Sequence, residues 1–352
     1  MVWPALELKR QGHDIDIVLP KYRGGFMHAE VHRETGKVIG AVVPSDADVI
    51  VLQRISHKHM AESIPFIRAQ GVAVVIDIDD DLSSIHPKNQ AYGLLHPGDQ
   101  RFPMHSWVNV QRACEAATLN VLSTPALINV YGRTGNGHVV YNHVPKRYLD
   151  VKHNDSTIFG WGGSMHSHPD DPQVMGIAPA RLMDEDFIFR VVGNGLDVRE
   201  VLHLPKFPDV TGVVDLESAW PEVLGSLGVG VAPLSKSRFN RSKSWLKMLE
   251  MAATGVPSVV SPRPEYRRLH DQGVPCLFAE KPQEWYASLK KLLTDDVLRQ
   301  EMSAKSREVA AQYTIEGNAD RWLEAWTAAY EIDRGKQRRK VLSPFGLGIV
   351  NP

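Results

Sequence analysis

Three groups of side chains in this sequence have types and spacings that suit chemistry, and the richest lies in residues 239–261. That segment reads as a loop, a helix carrying Lys247 and Glu250, a glycine stop at Gly255 and a Val-Pro-Ser-Val-Val strand. The pattern predicts a helix beginning near Ser242 to Ser244, whose unpaired backbone N–H groups and positive dipole end suit a diphosphate. Lys243 adds a full charge there, and Lys247 lies at i+4 from Lys243 and i−3 from Glu250, so all three can share one face. An ionised Glu250 only accepts hydrogen bonds and can take two from the hydroxyls of a ribose. The same pattern also describes a capped amphipathic helix with surface lysines.

The second group is Gly160-Trp161-Gly162-Gly163-Ser164-Met165-His166-Ser167-His168, read as a strand running into a glycine turn. Gly163 permits close approach of backbone to a phosphate and Ser164 can donate to it, while a plain tight turn would look the same. His166 and His168 form a His-x-His pair, but no third ligand stands at metal-binding spacing, so no metal is assigned. The third group follows the apolar run 72–78: Asp77, Asp79, Asp80 and Asp81 crowd the carboxyl end of a buried strand. Like charges so close together signal a cation, a positive partner or raised pKa values, unless they are the favoured acids of a helix start. Arg54, at the end of the preceding strand, either faces a ligand or pairs with a neighbouring acid.

The elements that must hold these groups alternate β-branched runs with amphipathic stretches, the pattern of an α/β fold with parallel sheets. Strands are predicted at 14–19, 49–53, 72–78, 119–122 and 138–141, and again at 158–161, 187–192, 229–232, 256–260 and 276–278. Two Rossmann-like halves follow, facing across a cleft, with ligands expected at the carboxyl ends of the strands. Residues 1–150 form the first domain, 151–314 the second, 315–333 a final helix, and 334–352 a basic tail. A first strand is missing from the N-terminal domain, either because the chain is truncated there or because the fold dispenses with it. The run 334–340 is a solvated tail or a contact for phosphate or an anionic surface.

Composition excludes several classes. A chain of 352 residues with net charge −1 and 23% charged residues is neither disordered nor drawn by its overall field to nucleic acid. Two cysteines, Cys114 and Cys276, make no disulfide framework and fit a reducing, cytoplasmic setting. No segment is long and apolar enough to predict integral membrane association. No Gly-x-Gly-x-x-Gly turn follows a first strand, which argues against a dinucleotide-dependent dehydrogenase.

Residues 239–261 resemble the donor-binding signature of GT-B glycosyltransferases, particularly family 4 and its bacterial and bacteriophage relatives. There a glutamate-bearing helix precedes an Ala/Gly-rich stop and a Pro-Val strand. The resemblance implies a hexosyltransferase that moves a sugar from a nucleotide-diphospho-sugar to an acceptor hydroxyl, with retention and without a metal or other cofactor. It implies that Ser242, Lys243 and Ser244 hold the diphosphate with Lys247, that Glu250 holds the ribose, and that Lys243 stabilises the leaving group. Where the usual pattern has a further glutamate, eight positions before Glu250, this chain has Ser242. The resemblance also places Gly163, Ser164 and Gly193 beside the donor, and Asp79 or Asp80 where an acceptor hydroxyl is oriented or deprotonated, with Arg54 and Asp81 near the acceptor. Acceptor specificity would lie in 79–84 and the loop 22–28. The final helix would cross back onto the first domain through Trp322 and Trp326. A glycan, a lipid-linked sugar, a protein and a modified nucleic acid remain open as acceptors. A non-catalytic nucleotide-sugar binder, or a GT-B-type epimerase or hydrolase, is the alternative reading.

Overall fold

The run Ala-Val-Val-Ile-Asp-Ile at Ala73–Ile78 has no polar face until its fifth residue, which suits a strand covered on both sides. The computed structural model describes residues 2–18, 27–44, 46–194, 198–215 and 219–341. Residues 22–26 of the expected acceptor loop, Gly195, and residues 342–352 of the basic tail lie outside them. Contacts divide the chain into two units: 1–83, 93–141 and 319–352 in the first, 84–92 and 142–318 in the second.

In the first unit, β1 (His28–Val31) and β2 (Val38–Val42) form an antiparallel pair. A four-stranded parallel sheet follows in the order β3 (Val49–Gln53), β4 (Ala73–Ile78), β5 (Leu119–Leu122) and β6 (Gly137–Val139). Alternation explains its double burial: Ala73, Val75 and Val121 face one helical layer, while Val74, Ile76 and Ile78 point the other way and are equally buried. The first of those layers holds Leu8 from the helix Val2–Arg10 and Trp322, Ala325, Trp326 and Ala329 from the helix Asp320–Val341. That last helix is fastened by buried Asp333, which accepts from Arg68 at 2.9 and 2.7 Å and from the Thr118 hydroxyl.

The second unit contains one six-stranded parallel sheet in the order β12-β11-β10-β7-β8-β9. Its strands are β7 (Ile158–Ser164), β8 (Ile188–Asn194), β9 (Asp209–Gly212), β10 (Val229–Ala232), β11 (Ser258–Val260) and β12 (Leu277–Phe278). Phe159, Trp161, Val191, Val231 and Trp285 lie in its main core.

Several expectations are corrected. Residues 14–18 of the expected strand 14–19 pair with no strand, and Leu19 lies outside the described residues; Gly12 (φ +99°) follows the first helix, and Lys9 donates to the Ile15 carbonyl. The β1–β2 pair and β9 were not anticipated: β1 and β9 are four residues each, largely exposed and without an apolar run, whereas β2 does carry one, Val-Ile-Gly-Ala-Val at Val38–Val42. Gly162, Gly163 and Ser164 are not a turn but the last rungs of β7, paired with Val192, Gly193 and Asn194. The final helix begins at Asp320 rather than 315 and runs through the basic segment to Val341. Both cysteines are free and buried, and no helix among the described residues is long and apolar enough to cross a membrane.

Candidate functional site

In the second unit, the chain passes from β7 to β8 and β9 on one side, then from β10 to β11 and β12 on the other. The strand order therefore reverses between β7 and β10, and ligands of such sheets bind outside the carboxyl ends at that reversal. The loops after β7 and β10 flank this point, and the second of them leads into the 239–261 segment.

The helix in that segment starts at Leu246, not at 242–244 as its sequence suggested. A single turn, Arg238–Arg241, precedes it, capped by Ser237, whose side chain accepts from the Asn240 amide. Lys243 and Ser244 therefore lie in the loop leading into the helix. Asn142 pins that loop, donating to Ser244 Oγ at 2.9 Å and accepting from Trp245 Nε1 at 2.8 Å through its carbonyl. Ser242 is buried and donates its hydroxyl to the Phe239 carbonyl at 2.8 Å. Gly255 ends the helix at φ +77°, and a Cβ there would lie 2.3 Å from Arg307 Nε.

Lys247 and Glu250 project from this helix toward β7 and its neighbours. The Lys247 ammonium donates to the Gly162 carbonyl and lies 5.4 Å from the centroid of Trp161. A Cβ on Gly163 would stand 2.7 Å from the Trp161 ring and 3.1 Å from Lys247 Nζ, so this glycine keeps the amine's place open. Gly193, at φ +116°, is equally constrained, since its Cβ would meet the Gly163 carbonyl oxygen at 2.3 Å. Burial pushes Lys247 down to about 8, helped by the charge of Lys243 and opposed by Glu250 and Asp171. Burial pushes Glu250 up to about 7, against the pull of Lys247 and of hydrogen bonds from Trp220 Nε1 at 3.2 Å and the Tyr148 hydroxyl at 3.5 Å. A cation and an anion are thus held one helical turn apart, both near their titration points, at the switch point of a parallel sheet. Lys243 stacks its ammonium over Phe239, 4.8 Å from the ring centroid.

The remaining candidates gather in the first unit, at the carboxyl ends of β3 and β4. Arg54 has the unusual φ of +50°, and its Nη2 lies 3.8 Å from one oxygen of both Asp79 and Asp80. Of the two readings of Arg54, pairing with acids is the one observed. Asp77 belongs to the same cluster: burial and then the Asp79 charge push it up to about 6, while Arg54 and Gln53 oppose the shift. Asp81 is buried and accepts from the Ser83 amide at 3.1 Å and from its hydroxyl, capping the short helical turn Leu82–Ser84. The structure thus brings Lys243, Ser244, Lys247, Glu250, Gly163, Ser164 and Gly193 together in one unit, and Arg54 with Asp79, Asp80 and Asp81 in the other. Among the described residues no group of three or more His, Cys, Asp or Glu side chains could hold a metal ion.

Three residues at the second unit's site escaped the sequence. Trp220 and Tyr148 reach Glu250 from 30 and 102 residues away, and nothing local signals such contacts. Asp171 was hidden in a Pro-Asp-Asp-Pro turn, although its spacing of three from His168 was visible.

Residues 185–324 match a protein-family model described as glycosyl transferase-like. No curated protein matches the sequence. Among solved structures, the fold is similar to Anabaena HepE in complex with UDP, with 14% identity, a TM-score of 0.57, and coverage of 79% of this chain and 78% of HepE. It is also similar to S. aureus TarM in complex with fondaparinux, alpha-GlcNAc-glycerol and UDP, with 13% identity, a TM-score of 0.54, and coverage of 86% of this chain and 64% of TarM. A third likeness is to the pneumococcal O-GlcNAc transferase GtfA with UDP and GlcNAc, at 9% identity and a TM-score of 0.51, covering 80% of this chain and 56% of GtfA. The α/β fold with two parallel-sheet units is shared with these solved structures, and the segment that matches the glycosyl transferase-like model contains the Lys247 and Glu250 helix.

Proposed function

We propose that the chain transfers a sugar from a nucleotide-diphospho-sugar to an acceptor hydroxyl. The observation that carries this reading is the Lys247–Glu250 pair at the β7/β10 switch point, inside the glycosyl transferase-like segment. Lys243, Lys247, Ser244 and the free amides at the start of the 246–253 helix hold the diphosphate, and Gly163, Ser164 and Gly193 form its floor. Glu250, fixed by Trp220 and Tyr148, accepts from the ribose hydroxyls. When the anomeric bond breaks, negative charge moves onto the diphosphate, and the two lysines and the amides stabilise it without a metal. The acceptor oxygen bonds to the anomeric carbon and loses its proton to Asp79 or Asp80, whose place beside Arg54 orients the hydroxyl. Asp81 and Ser242 serve the fold of their loops. The anomeric configuration is retained. UDP is the first nucleotide to test, since HepE, TarM and GtfA are each described with it.

Calorimetric titration with UDP, GDP, ADP and dTDP, without and with Mg²⁺, tests the site. Metal-independent binding that Glu250→Ala and Lys243→Ala each weaken by about tenfold or more is expected; full affinity in both variants would overturn the assignment. Asp79→Asn and Asp80→Asn should keep donor affinity while turnover falls by about 10²-fold in the variant that removes the base. Full activity in both would move the base elsewhere, and anomeric NMR of the product reads the stereochemistry.

One observation favours a second reading, a protein that binds the nucleotide-sugar without transferring it. Buried Ser242 stands where the resembling enzymes carry the glutamate that contacts the donor sugar. Nucleotide binding without turnover on a broad acceptor panel would support it.

A further inference from the structure

One buried titratable pair at the same switch point has no role in that reading: His168 and Asp171. The loop leaving β7 folds back at once, its Ser167 and His168 amides both donating to the Ser164 carbonyl at 3.0 Å. His168 Nδ1 then lies 2.8 Å from Asp171 Oδ2, with the two side chains 17% and 7% exposed. The other carboxylate oxygen, Oδ1, accepts from the Ser235 amide at 2.9 Å and from Asn240 Nδ2 at 2.6 Å. Asp171 therefore clasps the loop after β7 to the loop after β10, across the point where the sheet order reverses.

This clasp fixes the ring. A carboxylate at Nδ1 selects the tautomer with its proton there and leaves Nε2 as the atom available to a ligand. The charged groups around the imidazole are Asp171 on its own loop, Lys243 on the loop after β10, and Lys247 on the 246–253 helix. Burial, followed by the two lysines, holds His168 below its ordinary value, against the pull of Asp171. The free protein thus keeps the ring neutral, paired with the Asp171 carboxylate and in the field of two ammonium groups. A nucleoside diphosphate brings two to three negative charges to the same lysines and reverses the field at the ring.

We propose that His168 contacts the diphosphate of the nucleotide donor through Nε2, taking up a proton from solvent as the diphosphate arrives, with Asp171 as the positioning residue that holds Nδ1. The inference rests on the reading of this site as a diphosphate site. The imidazolium stays beside the diphosphate while the sugar leaves, adding a third cation to the two lysines, and returns its proton to solvent when the nucleoside diphosphate departs. Proton and charge balance over the cycle, and no further reactant is required.

The test titrates UDP, GDP, ADP and dTDP into the full chain at about pH 7 in buffers of differing ionisation enthalpy. The expected result is binding with net proton uptake in the wild type. His168→Gln, which keeps a polar side chain, should bind about tenfold more weakly and lose that uptake. Glu250 and Lys247 titrate near this pH in both proteins, so imidazole spectra assign the difference to His168. Asp171→Asn keeps the imidazole but not its charged partner, so its uptake should weaken at pH 7 and recover as the pH is lowered. Equal proton uptake by wild type and His168→Gln overturns the inference while leaving the nucleotide site standing; no binding of any of the four nucleotides overturns both. Imidazole ¹⁵N spectra of the wild type read the same event without a substitution. A His168 Nε2 signal that moves to the protonated position with nucleotide agrees with the proposal, and an unmoved one overturns it.

Discussion

Lys247 and Glu250 are displaced in opposite directions, the amine down to about 8 and the carboxyl up to about 7, and burial is the main cause in both. Proton linkage gives the sign of the consequence. A carboxyl raised above its unfolded value binds more protons in the native state, so its contribution to stability falls as pH rises from about 4.5 toward 7. An amine lowered below its unfolded value binds fewer, so its contribution recovers only as pH rises from about 8 toward 10.5. Between about 7 and 8 both groups are mostly charged, and both desolvation costs fall on the folded protein together. The double variant Lys247→Met with Glu250→Gln should therefore be more stable than the parent near pH 7.5, by about 1 kcal/mol or more, in urea unfolding followed by tryptophan fluorescence. Its nucleotide affinity should be lost. A less stable double variant would mean that the pair serves the fold instead of a ligand.

At the scale of elements, the site depends on the close approach of β7, β8 and the 246–253 helix. Gly163 pairs with Gly193 across β7 and β8, and the missing side chain leaves space for the Lys247 amine. Gly163→Ala should displace that amine and lower nucleotide affinity about tenfold, read by the same titrations. Unchanged affinity would show that Lys247 binds from another rotamer. Much of this arrangement was legible in sequence. The strands 49–53, 119–122 and 229–232 are found at those residues as β3, β5 and β10, because each is a short, mainly apolar run that suits a strand buried on both faces. Lys247 and Glu250 are on one helix, as their spacing of three required. The helix start was misplaced because Ser242, Lys243 and Ser244 carry good capping chemistry, yet Asn142, a hundred residues away, holds them in a loop. Asp171 was missed for a related reason: its meaning lies in Ser235 and Asn240, which only the folded sheet brings near it.

At the scale of the whole molecule, each unit draws on separated stretches of sequence. The helix Asp320–Val341 follows the second unit in sequence but packs in the first, its Trp322 and Trp326 against the sheet that holds Val75 and Val121. Asp333 fixes it to Arg68 and Thr118. Asp333→Ala should destabilise the first unit by about 3 kcal/mol, because it leaves a guanidinium and a hydroxyl without their buried acceptor. It should leave nucleotide affinity unchanged, since every group assigned to the donor lies in the second unit. A parallel loss of nucleotide affinity would show that the two units do not act independently in binding.

The path of the chain sets an order for its own synthesis. A polypeptide leaves the ribosome N-terminal end first, and domains fold as they emerge. The strands β3 to β6 are made early, yet one face of their sheet is covered by residues 319–329, which appear only after all of the second unit. During translation the second unit can close its core while the first unit still exposes an apolar sheet face. The first half of the sequence is therefore the last to finish folding, and a ribosome that stalls before Trp322 releases a chain prone to stick through the uncovered face of β4 and β5.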